Sequence, residues 1–210
     1  MSAKSETTAV PVTLLNSPLM TFFTLIAAIV IGSSLLEFNE LLFPPKVTSI
    51  RFWALMPVYV VALDAWFGVV SWSRNIPYTD KPILRTMVLF LVVTWIILLA
   101  LMYFASMAHI SLLSYLWGLV ILFVMVQLIC VIRSRIIKSP EPYRIYTSCG
   151  VLSLVVAIAY SIWLFVYSPV PDVMNWVFTA IAFIILVGMR VWMKVAHIWR
   201  PEEKRAGSGQ

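Results

Sequence analysis

The longest stretch of the chain without a charged side chain constrains the fold more than any other feature of the sequence. It runs from residue 86 to residue 132, which is 47 positions without Asp, Glu, Lys or Arg. A helix that crosses the hydrocarbon core of a membrane needs about 20 mainly apolar residues. The stretch therefore predicts two crossings joined by a turn within residues 105–111, where Ser106, His109 and Ser111 interrupt the apolar run.

Charge-poor stretches elsewhere predict four further spans. The chain of 210 residues is 62% hydrophobic and 11% charged, whereas a soluble domain is about 25% charged. This composition excludes a disordered chain, a disulfide-rich scaffold and a DNA-binding domain. The predicted fold is all-α, a polytopic membrane protein built as a bundle of six transmembrane helices. The predicted spans are residues 19–38, 52–73, 84–105, 109–132, 146–168 and 173–195, with short polar segments at 1–18 and 196–210.

Positive charge is distributed unequally between the two sides of this predicted bundle. Of the 15 Lys and Arg residues, 13 fall in the N-terminal segment, the loops after spans two and four, and the C-terminal tail, whereas only Lys46 and Arg51 fall on the other side. Lys and Arg are retained on the cytoplasmic side, so both termini are predicted to be cytoplasmic. The membrane is expected to be the plasma membrane, or the inner membrane of a prokaryote. The expected partner of this basic chain is therefore the lipid bilayer and not nucleic acid.

Asp64 is the ionisable residue that most needs an explanation, because it lies near the middle of span two. A charged side chain at the centre of the bilayer costs about 2.5 to 3.5 kcal/mol on insertion scales. At 100° per residue, Gly68, Ser71 and Asn75 lie on the same helix face as Asp64, and this face is expected to point into the bundle. These four residues are the candidate site for an ion or a small solute. The alternative, given equal weight, is an Asp that only holds helices together.

Arg190 is the candidate counter-charge for Asp64. It lies with Lys194 at the predicted inner end of span six, where long basic side chains usually extend to the membrane interface. The second possibility is that Arg190 approaches Asp64 and keeps it ionised. The sequence leaves both arrangements open.

Small residues at helical spacing predict close helix packing. In span one Thr24, Ala28 and Gly32 share one face, and in span four Ser114 and Gly118 share another. Small residues at such spacings let two helix backbones approach closely. Helix packing is therefore favoured over a pore lining for both sets.

The residues that membrane enzymes and metalloproteins use are missing from the predicted spans. His109 and His197 lie near opposite membrane faces, so they cannot share one metal or haem. A single midspan acid and no midspan His exclude the dyads of intramembrane proteases. Cys130 and Cys149 both lie near the predicted cytoplasmic side and form no CxxC pair. We therefore expect no enzymatic activity, no cofactor and no bound metal.

The layout resembles that of the bacterial relatives of the lysosomal six-helix potassium channel. The resemblance consists of six spans, both termini inside, Trp72 near the inner end of span two and Asp80 in the loop that follows. It implies a channel. The Phe-Ser-Asp motif of that family's first span is absent, since Phe23, Thr24 and Leu25 stand at its place. No pore residue is therefore transferred to this chain.

Two functions remain open at this point. The leading hypothesis is a small channel or secondary carrier for an ion or a small solute, expected to be a homo-oligomer, with Asp64 as its ionisable site. The alternative is a non-transporting membrane subunit or scaffold of a larger membrane complex. That alternative is favoured by the scarcity of midspan polar residues and by the low number of glycines, 7 in the whole chain, because carrier sites are commonly built from broken helices.

Overall fold

Six long helices dominate the structure, a computed structural model that describes residues 13–74, 82–107, 112–137 and 143–199. The described ranges contain a 3-10 turn at Leu14–Asn16 and the helices α1 (Pro18–Glu37), α2 (Asn39–Leu42), α3 (Ile50–Ser73), α4 (Pro82–Ser106), α5 (Leu112–Ile137), α6 (Tyr143–Val166) and α7 (Asp172–Trp199). All except the four-residue α2 are long and apolar enough to cross a membrane. The prediction of an all-α bundle with six spanning helices is confirmed.

Local sequence explains where these helices begin and end. The hydroxyl of Ser17 caps α1 by accepting a hydrogen bond from the backbone N–H of Met20 at 3.3 Å, and Pro18 stands in the first turn, where a missing N–H costs nothing. Pro169 and Pro171 lie between α6 and α7. Neither proline can continue a helix from the preceding turn, so the two spans are separated there.

The bundle is organised around α4. This helix contacts α1, α3 and α5, and the chain then continues around the bundle through α5, α6 and α7 until α7 packs against α3. Among the long helices, α1 packs mainly on α4 and so lies at the edge. Because successive spans alternate in direction, α3 and α7 are parallel neighbours. This arrangement brings residues from the second and the last span together.

The interior is filled by large side chains, and the exterior is apolar as well. Trp95, Tyr115, Tyr160 and Phe23 are among the largest side chains that are almost completely buried. The rings of Phe23 in α1 and Trp95 in α4 meet edge to face, with 6.1 Å between their centroids. Many Val, Ile, Leu and Phe residues are exposed on the outside, which is expected of a surface that faces lipid and not water.

Gly118 in α5 marks the closest helix approach found at a glycine in the described residues. A Cβ atom placed on Gly118 would lie 2.7 Å from Cδ2 of Leu101 in α4, and Leu101 is itself 1% exposed. A methyl group at this position therefore has to displace a side chain that is packed in the core. By contrast, no atom lies within 4 Å of a Cβ built on Gly32 in α1.

The substitution Gly118→Ala is expected to destabilise the protein by about 1 to 3 kcal/mol, because it overpacks the contact between α4 and α5. Thermal unfolding of the purified protein in detergent measures the effect as a lower midpoint. Gly32→Ala is the matched control and should leave the midpoint unchanged or slightly raised, since Ala also favours helix. Equal midpoints for the two variants would contradict the packing assigned to Gly118.

Candidate functional site

Asp64 and Arg190 form an ion pair that joins α3 to α7. Oδ2 of Asp64 lies 2.7 Å from Nη1 of Arg190. The side chain of Arg190 is 15% exposed and that of Asp64 is 36% exposed, so the arginine is mostly enclosed while the carboxylate stays partly open to the surroundings. The structure thus places Arg190 beside Asp64.

The ion pair cancels two charges that would each be unfavourable in hydrocarbon. An isolated charge at membrane depth costs several kcal/mol, and a partner at contact distance offsets much of that cost. The offset is incomplete at the arginine, because its Nε is buried and has no hydrogen-bond partner. Removing either partner leaves the other charge without its neighbour, which makes α3 and α7 depend on each other for stability.

The rest of the predicted polar face on α3 does not point into the bundle. Gly68 and Ser71 are exposed, and no atom lies within 4 Å of a Cβ built on Gly68. The expectation that this face looks inward is therefore wrong for these two residues, and Asn75 lies outside the described residues. The buried face of α3 is instead formed by aliphatic side chains such as Leu55 and Val58, which gain more contact from burial than glycine or serine does.

The small residues that were predicted to pack against other helices differ in how exposed they are. Ala28 and Gly32 lie on the exposed side of α1, and Ser114 is exposed on α5. Thr24 is half-buried, and its hydroxyl donates to the carbonyl of Met20 in its own helix at 2.8 Å. The packed face of α1 consists of other residues, namely Met20, Phe23, Ala27, Val30 and Ser34. The close packing predicted for Ala28 and Gly32 is therefore not found among the described residues.

Hydrogen-bonded pairs of polar side chains join neighbouring helices, and the sequence did not predict which residues would pair. Tyr160 of α6 donates its hydroxyl to Oδ1 of Asn175 in α7 at 3.1 Å, and both side chains are buried. Tyr59 of α3 donates to the hydroxyl of Ser34 in α1 at 3.0 Å. A third pair joins the amide of Gln127 in α5 to the hydroxyl of Thr147 in α6. Each member is a polar residue in a mainly apolar span, and the spacing within one helix does not show which residue of another helix it meets.

The described residues contain no group of three or more His, Cys, Asp or Glu side chains that could hold a metal ion. Cys130 is buried and Cys149 is half-buried, and neither forms a disulfide among the described residues. The structure therefore brings together one pair of ionisable groups from the predicted site, Asp64 and Arg190. The absence of a cofactor stays a prediction.

The six apolar spans define the chain as an integral, multi-pass membrane protein. No family model, no curated protein and no solved structure matches it. The interpretation of the site therefore depends on its own chemistry. The site consists of the ion pair between Asp64 and Arg190 and of the exposed small residues Gly68 and Ser71 on α3.

Tyr160→Phe is expected to destabilise the bundle by about 1 kcal/mol or somewhat more, because it leaves the buried Oδ1 of Asn175 without its donor. Thermal unfolding in detergent measures the change. Tyr167→Phe is the control, since Tyr167 lies just beyond α6, is 57% exposed and has no hydrogen-bond partner for its hydroxyl among the described residues. If both variants unfold at the same temperature as the wild type, the Tyr160 hydrogen bond contributes nothing to stability.

Proposed function

We propose that this protein is a non-transporting membrane subunit or scaffold of a larger membrane complex, with no catalytic activity of its own. The observation that carries the proposal is the contact between Asp64 and Arg190 at 2.7 Å. Asp64 is the midspan carboxylate on which an ion or solute site would depend, and its charge is already matched by a side chain of the same protein. An interhelical pair of this kind is well suited to holding two helices in a fixed relation.

The surface next to the ion pair supports the same proposal. Gly68 and Ser71 of α3, which share a helix face with Asp64, are exposed, and nothing lies within 4 Å of a Cβ built on Gly68. Small residues on a lipid-facing surface let the backbone of a neighbouring helix come close. In the proposed complex, a helix of a partner subunit packs here and the ion pair keeps α3 and α7 in position to receive it.

A secondary carrier or channel is the second candidate, and one observation favours it. The side chain of Asp64 is 36% exposed, so the carboxylate remains accessible to a proton or cation while it contacts Arg190. In a carrier, binding of the ion would compete with Arg190 for the carboxylate, and the pair would open and close during transport.

Exchanging the two charges separates a structural pair from a transport site. Asp64→Asn and Arg190→Gln are each expected to lower the stability by about 1 to 3 kcal/mol, less than for a fully buried pair because Asp64 is partly exposed. The double variant Asp64→Arg with Arg190→Asp should recover part of this loss if the pair is structural. Thermal unfolding in detergent provides the measurement.

Ion flux into proteoliposomes provides the second arm of this test. With an enclosed pH-sensitive dye and an imposed Na⁺, K⁺ or proton gradient, the proposed subunit should give the same flux as empty liposomes. Flux that is present in the wild type, absent in Asp64→Asn and not restored by the charge exchange would establish the carrier instead.

The proposed complex is tested by native mass spectrometry of the protein after mild solubilisation from its own membrane. We expect a second polypeptide at a fixed stoichiometry. The variant Gly68→Leu, which places a large side chain on the exposed surface of α3, should release that polypeptide, whereas Gly32→Leu on α1 should not. A homo-oligomer that carries ion flux would contradict the proposal.

A further inference from the structure

A lateral groove separates α1 from α4 at the end of the bundle that the charge pattern predicts to be outside. Its volume is about 500 Å³, within the range of roughly 300 to 1,000 Å³ that is usual for small-molecule sites. The groove is independent of the Asp64–Arg190 pair, which lies between α3 and α7. Its wall residues include Ser33, Ser34, Ile96, Leu99, Ala100 and Phe104.

The wall of this groove offers an apolar surface in spite of its two serines. The hydroxyl of Ser33 donates to the carbonyl of Val30 at 3.3 Å, and that of Ser34 donates to the carbonyl of Ile31 at 2.9 Å. Ser34 in addition accepts the hydrogen bond from Tyr59. Because both donors are used within α1, the groove accommodates a hydrocarbon chain without leaving a polar group unpaired.

Glu37 and Tyr103 provide the polar groups of the groove. Both residues line it; Glu37 is exposed, and Tyr103 is 45% exposed. Among the residues that the structure describes, neither the carboxylate of Glu37 nor the hydroxyl of Tyr103 has a hydrogen-bond or ion-pair partner. The groove therefore combines a free acceptor with negative charge and a free donor, both at the outer ends of α1 and α4.

We propose that this groove binds a zwitterionic phospholipid with a primary-amine headgroup. One acyl chain lies along the apolar wall, the ammonium group donates to the carboxylate of Glu37, and the phosphate accepts a hydrogen bond from the hydroxyl of Tyr103. A groove that opens into the bilayer is already surrounded by acyl chains, and a chain gains little by moving from lipid to an equally apolar wall. The headgroup contacts therefore decide which lipid is held, and a charge-assisted hydrogen bond is their strongest component.

Headgroup selectivity is the property to measure. The purified protein is titrated in detergent with phosphatidylethanolamine, phosphatidylcholine or phosphatidylglycerol of identical acyl chains, and bound lipid is counted by native mass spectrometry. We expect phosphatidylethanolamine to bind about ten-fold more tightly than the other two, the ratio that one charge-assisted hydrogen bond supplies. Phosphatidylcholine has no N–H to donate, and phosphatidylglycerol brings a negative charge to Glu37.

Two pairs of variants connect that selectivity to the groove. Glu37→Gln should reduce the preference for phosphatidylethanolamine over phosphatidylcholine to about one, whereas Glu40→Gln, an exposed acid that does not line the groove, should retain it. Ala100→Trp should remove the bound lipid by filling the space. Ser33→Phe obstructs the opposite wall from an exposed position and serves as the second blocking variant if Ala100→Trp does not fold.

Three results would overturn the proposal. The first is equal binding of the three lipids by the wild type, and the second is a preference that survives Glu37→Gln. The third is a polypeptide that occupies the groove, detected when Ser33→Cys forms a crosslink to another chain in the membrane. The first two results do not bear on whether the protein is a subunit or a carrier, because neither role depends on the lipid site. The third would overturn the lipid site and at the same time support the proposed subunit role.

Discussion

A polar group that a helix carries into hydrocarbon has to find its partner inside the protein, because the membrane interior contains no water to replace it. Several threonine and serine hydroxyls meet this demand within their own helix, as Thr94 does by donating to the carbonyl of Phe90 at 2.8 Å, whereas the buried hydroxyl of Ser153 has no partner among the described residues. Asp64 and Asn175 have no such local solution, and each is paired with a residue of another span. These pairs restrict which helices can be neighbours. The apolar surfaces then pack between the helices that the pairs hold together.

The number and approximate limits of the spans could be predicted from the sequence, because they depend only on how far the chain runs without charge. The bilayer imposes a minimum length, and residues 86–132 are long enough to meet it twice. The structure has α4 and α5 there, ending at Ser106 and beginning at Leu112. The number of spans can be predicted without knowing how the helices pack, because a span is determined by the transfer of an apolar segment from water to lipid.

The inward face of each helix could not be predicted in the same way. In a soluble helix the polar residues mark the outside, but here the outside is apolar too, so the periodic signal is lost. Gly32 and Gly118 illustrate the result: both stand in stripes of small residues, yet one is exposed with open space around it and the other lies against Leu101. Likewise, the contact between Asp64 and Arg190 depends on the relative rotation of α3 and α7, which is not encoded in the spacing within either helix.

The order in which the chain is made gives the ion pair a further consequence. Asp64 enters the membrane with the second span, whereas Arg190 is synthesised on the order of a hundred residues later, in the last one. At usual rates of translation, an interval on the order of ten seconds separates the synthesis of Asp64 from that of Arg190. The contact between α3 and α7 therefore forms only after α7 has been synthesised, and until then the membrane contains an acid in α3 whose charge is unmatched.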